Sequence, residues 1–182
     1  MANVRLPDGD GDELQRVGLL QPQMAKMLSA LTEACYRDST LPIREKEAAR
    51  MRIAHINGCV VCSDTRMANS DLYGIDESFY DDVDDPAKRG RYTERERMAI
   101  EFAERYAWGK HTMDGAFWGR LHAAFSDAEI VDLAMCCINF LGGGRFVAVL
   151  DLSTQCPIRI TEGQAVNMKV PLEPLRASAS SR

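Results

Sequence analysis

Histidine and aromatic side chains are scarce in this chain, with three histidines and 7% Phe, Trp and Tyr in 182 residues. No two histidines have the spacing of a metal-binding pair, so a structural zinc site lacks the second half it normally needs. No apolar run approaches the ~20 residues that span a bilayer, and the first residues lack the apolar stretch of a secretion signal. A cytoplasmic protein with no membrane partner is therefore expected. Basic excess is also missing. The net charge is −5 and the pI about 5.3, and Lys88-Arg89-Gly90-Arg91 is the sort of short basic patch that sits on a solvated surface. A nucleic-acid partner is excluded on that ground. Gly142-Gly143-Gly144 has neither the preceding strand nor the lysine of a phosphate loop. Asp8 to Asp12 resembles the start of a calcium loop, but Glu13 stands where its glycine belongs and Leu19 where its bidentate Glu belongs.

What remains suits one globular domain of 20.3 kDa, 46% hydrophobic. No repeat and no alternation of strands with helices is visible, so the class is all-α. Residues 1–12 are polar and expected to be mobile. Residues 13–156 form the helical domain. Residues 157–182 are an irregular C-terminal extension ending in a disordered Ser/Ala tail. Pro22 fits the first turn of a helix that runs to about Arg37 with apolar residues at helical spacing. A second helix covers Arg44 to Asn57, stopped by Asn57-Gly58. Cys59 then opens a helix from Val60 to about Leu72. Asp76 to Gly90 reads as a short helix and a loop. Thr93-Glu94-Arg95-Glu96 and Ser126-Asp127-Ala128-Glu129 are capping boxes, launching helices to Trp108 and to Leu141, the latter apolar nearly all round and expected to be buried. A short helix covers Asp114 to Ala124. The three glycines interrupt the last pattern, and Arg145 to Leu152 reads as further helix. Met24, Met27, Met51, Met67, Met98 and Met135 are expected in the core.

The strongest chemical signal is Cys59-Val60-Val61-Cys62. Cysteines at i and i+3 at a helix start are near enough for a disulfide, and free amides there stabilise a thiolate. A neighbouring thiol can then resolve a sulfenate or mixed disulfide. Two other readings apply to such a pair: half of a zinc site, or two inert buried thiols. Cys35, Cys136, Cys137 and Cys156 are read as small buried hydrophobes.

The surrounding pattern narrows the choice. Glu47-x11-Cys59-x2-Cys62, embedded in Arg50-Met51-Arg52-Ile53-Ala54-His55-Ile56-Asn57-Gly58-Cys59, resembles the core motif of the carboxymuconolactone decarboxylase superfamily. Within it, the match is to the CxxC-bearing alkylhydroperoxidase D-like (AhpD-like) branch. The resemblance extends to Tyr92 to Arg97, to Phe125 to Leu133 and to Arg145-Phe146, and covers about residues 22–152. It implies an AhpD-like helical bundle that assembles as a homotrimer or hexamer. It also implies a peroxidase or disulfide-reductase activity that uses no metal and no organic cofactor. The substrate would be a hydroperoxide or a disulfide, and the reductant a lipoyl or thioredoxin-like protein. By the same resemblance Cys62 is the attacking thiolate, Cys59 resolves it, and Glu47 belongs to a proton relay.

Arg66 stands where that relay normally has histidine, four residues after Cys62. On a continuous helix Arg66 shares the face of Cys62, where a guanidinium stabilises a thiolate but accepts no proton. His55 is the one candidate to substitute in the relay, set against the favoured reading of a solvent-facing or core-satisfied histidine. It lies eight residues from Glu47, about 12 Å along a helix axis, which excludes direct contact between the two within one helix. The candidate catalytic set is Cys62, Cys59, Glu47, Arg66 and His55. A redox sensor or oligomeric scaffold without catalysis, and a lyase of the decarboxylase type, are the competing functions.

Overall fold

The structure is a computed structural model, described for residues 2–154 and 157–161. Its helices are α1 (Glu13–Gly18), α2 (Pro22–Arg37), α3 (Ile43–Asn57), α4 (Val60–Asp64), α5 (Glu77–Asp81), α6 (Glu94–Trp108), α7 (Gly115–Ala124) and α8 (Asp127–Val149). Single 3-10 turns at Ser70–Tyr73, Asp82–Asp84, Pro86–Arg91 and Lys110–Thr112 join several of them. The local signals act as expected. Pro22 occupies the first turn of α2, and Gly58 ends α3 at φ 62°, in the left-handed region. Both capping boxes form, Thr93 with Glu96 and Ser126 with Glu129. The short α1 was not anticipated; it is launched by a third capping box between Asp12 and Gln15.

Helix α3 is central. It packs against α6 on one side and α8 on the other, and α2 lies along α8. Ala48, Ala49, Ile53, Ile100, Ala103, Leu133 and Cys137 fill the seam and are inaccessible to solvent. Charged groups fix the helix order at its rim. Arg95 of α6 bonds Glu45 of α3 and Glu129 of α8, and Arg44 bonds Glu96 at 2.6 Å.

Several expectations are corrected. The three glycines do not interrupt the last helix, because α8 runs through them to Val149. Side chains of its neighbours fill the space that Gly144 leaves, and packing overrides the weak helix propensity of glycine. Helix α4 stops at Asp64 rather than near Leu72. Arg66 and Met67 instead form β1 (Arg66–Met67), paired in parallel with β2 (Arg159–Ile160) through Arg66↔Arg159 and Met67↔Ile160. This two-residue pairing is the one departure from an all-helical chain among the described residues. Of the methionines expected in the core, Met51, Met67 and Met98 are buried, but Met24, Met27 and Met135 are exposed. Val131, Ile138 and Val149 of α8 are exposed as well, so this helix buries one face only. Contrary to the expectation that no apolar run nears the length of a membrane span, it has that length and apolarity, yet Leu133, Cys136, Cys137 and Phe140 pack in the core. Such packing is compatible with a soluble protein. The polar lead-in, expected to be mobile, forms no helix or strand before α1, but it is held in place. The Asn3 amide donates to the Leu150 carbonyl at 2.8 Å, and Val4 and Leu6 pack beside Leu14 and Val147. Cys156 and the C-terminal tail lie outside the described residues.

Candidate active site

Gly58 turns the chain from α3 into α4 and places Cys59 at the N-cap of α4. Cys59 and Cys62 are joined by a disulfide, with their Cα atoms 5.3 Å apart. The Cys59 sulfur accepts a hydrogen bond from the Cys62 amide at 3.2 Å. The two sulfurs differ in access. Cys59 is 1% exposed, whereas Cys62 is half-buried and forms part of the wall of a cavity of about 140 Å³. The other walls are apolar for the most part, with Leu28 from α2, Val61 from α4, Phe140 and Val147 from α8, and Ile158 beside β2. Polar atoms enter from Thr32 and Asn139, which bond each other at 2.8 Å, and from Tyr36 and Arg50. Gly144 lets α8 pass close to the disulfide. A Cβ there would stand 2.8 Å from Asn57 Nδ2 and 3.4 Å from Cys62 Sγ.

Beneath the cavity lies a buried polar cluster centred on Glu47, which is wholly inaccessible to solvent. Arg50, one turn further along α3, donates to both carboxylate oxygens at 2.9 Å. The Tyr36 hydroxyl donates to Oε1 at 2.7 Å and the Tyr80 hydroxyl to Oε2 at 3.1 Å. Arg50 also donates to the carbonyls of Cys62 and Thr65, at 2.7 and 3.0 Å, tying the carboxylate to the backbone of the cysteine helix. Burial would depress the Arg50 guanidinium, but the adjacent Glu47 charge outweighs it and raises the group above its ordinary value. Burial, reinforced by Glu47, pushes Tyr36 well up and Tyr80 to about 12. Both phenols are thus held as neutral donors.

Glu47, Cys59 and Cys62 are brought to one place, with Arg50 between the carboxylate and the Cys62 carbonyl. Arg66 and His55 are not. The chain leaves the helix before Arg66, so the shared face with Cys62 does not exist. The Arg66 guanidinium lies over the Tyr80 ring at 4.5 Å and pairs with Glu77 at 2.9 Å. His55 Nδ1 is 2.8 Å from Asp84, which also pairs with Arg52, and takes no part in the cavity wall. Arg50, Tyr36, Tyr80 and Asn57 are site residues that the sequence reading missed. Arg50 had a signal, because an arginine three residues after a helical glutamate is placed to pair with it. The tyrosines come from α2 and α5 and had none.

The comparison with solved structures finds this architecture again. A crystal structure from Agrobacterium tumefaciens, described as a protein of unknown function and a candidate antioxidant defence protein AhpD, superposes with a TM-score of 0.68 at 22% identity. The match covers 77% of this chain and 96% of that one. The chain has an AhpD-like fold. No family model matches the sequence, and no curated protein does. In the AhpD-like fold described above, a CxxC disulfide sits where two helices meet an apolar cavity, an arrangement that suits redox chemistry.

Proposed function

We propose that the protein is a thiol-dependent oxidoreductase cycling the Cys59–Cys62 disulfide, with Cys62 the sulfur that meets substrate. The observation that carries this reading is the unequal access of the two sulfurs, with Cys62 in the cavity wall and Cys59 sealed beneath it. In the reductive half, one thiolate of a dithiol reductant attacks Cys62 and the Cys59 thiolate leaves; the reductant's second thiolate then closes its own disulfide and releases Cys62 as thiolate. The Cys62 amide pointing at Cys59 stabilises that leaving charge, which speeds exchange. In the oxidative half with a hydroperoxide, the Cys62 thiolate takes the terminal oxygen and the alcohol departs. The Cys59 thiol then displaces water from the sulfenic acid and restores the disulfide. With a disulfide substrate, the Cys62 thiolate forms a mixed disulfide that Cys59 resolves.

Glu47 makes no contact with Cys62 among the described hydrogen bonds. Tyr36 is at once its partner and a wall residue, and Arg50 joins Glu47 to the Cys62 carbonyl. Arg50 and two phenols already occupy the acceptor positions of the carboxylate. Thiol–disulfide exchange asks least of it, so disulfide substrates and a lipoyl or thioredoxin-like reductant fit the site best, with hydroperoxides second. A dithiol that must be reduced again suits a reducing compartment such as the cytoplasm. The exposed apolar residues of α2 and α8 suit a trimer or hexamer of copies.

The test is turnover of cumene hydroperoxide and of a small aromatic disulfide with dihydrolipoamide as reductant, on wild type and on Cys62→Ser. Loss of turnover in the variant is expected. Equal rates would remove the catalytic role, and lactone turnover surviving in the double cysteine variant would favour the lyase.

A further inference from the structure

A second pair of thiols lies in the core between α2 and α8, away from the cysteine helix. Two side-chain hydrogen bonds fix how these helices face each other. Thr32 bonds Asn139 at 2.8 Å, and Ser39, just past the end of α2, bonds Asp132 at 3.1 Å. The chains therefore run antiparallel. Cys35 is three residues after Thr32 and Cys136 three before Asn139, so the two cysteines occupy the same level between those bonds. Both are buried and free of any disulfide, and both belong to the same core cluster.

Two charged groups flank the pair. Asp132 Oδ1 is 3.7 Å from the Cys136 sulfur. Lys46 of α3 is 2% exposed, and its ammonium donates to the Cys35 carbonyl at 3.1 Å and lies 5.7 Å from the centre of the Tyr36 ring. Among the described residues no carboxylate forms an ion pair with it. A buried ammonium without a counter-charge is costly, and a thiolate on Cys35 would supply one.

We propose that Cys35 and Cys136 are a second redox site, which closes to a disulfide between α2 and α8 when a hydroperoxide oxidises Cys35. Cys35 is the attacking sulfur. Lys46 sits on its carbonyl, whereas Asp132 faces Cys136; the neighbouring Cys136 thiol holds Cys35 below the ordinary value against the effect of burial, and Lys46 adds to this while Asp132 opposes it. Cys136 is raised by the neighbouring Cys35 and by burial, and Cys137 by burial, so those two stay protonated. The Cys35 thiolate takes the terminal peroxide oxygen as the O–O bond breaks, and the alkoxide gains a proton to leave as the alcohol. The Cys136 sulfur then displaces the hydroxyl of the Cys35 sulfenic acid, and the Cys136 proton departs with that hydroxyl as water. The new bond pins Tyr36, Thr32 and Leu28 against Asn139 and Phe140, two walls of the cavity beside Cys62.

The site stands apart from the Cys59–Cys62 reading and is tested without it. The reduced Cys59→Ser/Cys62→Ser variant is treated with cumene hydroperoxide, denatured, alkylated and mapped by mass spectrometry under non-reducing conditions. The expected result is a monomer with a peptide joining Cys35 to Cys136 and two fewer alkylatable thiols. Adding Cys35→Ser or Cys136→Ser abolishes the link, and adding Cys137→Ser preserves it. Recovery of Cys35 and Cys136 as free thiols, or a link made through Cys137 or Cys156, overturns the proposal. If that happens while the wild-type protein keeps its Cys62-dependent turnover, the second site alone is rejected.

Discussion

Replacing Glu47 by methionine tests the buried cluster most directly. The substitution keeps side-chain volume but leaves the Arg50 guanidinium, 7% exposed, with two backbone carbonyls and no counter-charge. Breaking a buried ion pair from one side costs about 3–5 kcal/mol. The Tyr36 and Tyr80 hydroxyls also lose an acceptor, each worth about 1 kcal/mol, although Tyr80 still accepts from the Met67 amide at 3.3 Å. These terms share atoms and do not add fully, so a loss of about 4–6 kcal/mol is expected. For a chain this long, 1 kcal/mol moves the melting temperature by roughly 2–4 °C, which puts the reduced Glu47→Met protein about 10–20 °C below wild type. Arg50→Met should cost about 3–5 kcal/mol, since it strands the carboxylate. The double variant removes both charges and should recover about half of the single loss, short of wild type because the Cys62 and Thr65 carbonyls lose their donor. Thermal and urea melts of the four reduced proteins complete the cycle. A loss below about 1 kcal/mol in Glu47→Met, or single losses that simply sum to the double, would refute the claim that this pair holds the cysteine helix to α3.

Two further outcomes separate packing from propensity and fix the sign of a pH effect. Gly142→Ala meets open space and should stabilise by about 0.5–1 kcal/mol through helix propensity. Gly144→Ala should lose that gain by displacing Asn57 from the Phe140 and Leu141 carbonyls, and should slow alkylation of Cys62; urea midpoints and alkylation rates distinguish the two. The Glu129 carboxyl is held down to about 2 by hydrogen bonds from Arg95 and Ser126. A depressed carboxylate stabilises the fold fully above its unfolded value, near 4.5, and loses that contribution as pH falls toward 2. The melting-temperature gap between wild type and Glu129→Gln should therefore be widest near neutrality and close through that acid window; a gap that widens on acidification contradicts the assignment.

Much of the molecule was written locally in the chain. Capping boxes at Thr93 and Ser126, Pro22, and Gly58 at positive φ set helix boundaries within a residue or two, because each satisfies or ends backbone hydrogen bonds using neighbours in sequence. The Cys59–Cys62 pair was likewise legible, since one turn at a helix start separates the two; Glu47 was singled out only by the family resemblance. What failed depended on distant partners. Arg66 was placed on the face of Cys62 by extending α4, but residues nearly a hundred positions away pair with it as a strand and end that helix. The three glycines looked like a break because their propensity is local, while the helix through them is held by Asn57 and Cys62 filling the space beside Gly144. Met24, Met27 and Met135 show the same limit, for periodicity tells that a face is apolar and not whether this chain covers it. Sequence thus determined the helices and the cysteine pair. Only the tertiary structure decided that Tyr36, Tyr80 and Arg50 converge on Glu47, because a buried carboxylate must gather its donors from whichever elements packing brings within reach.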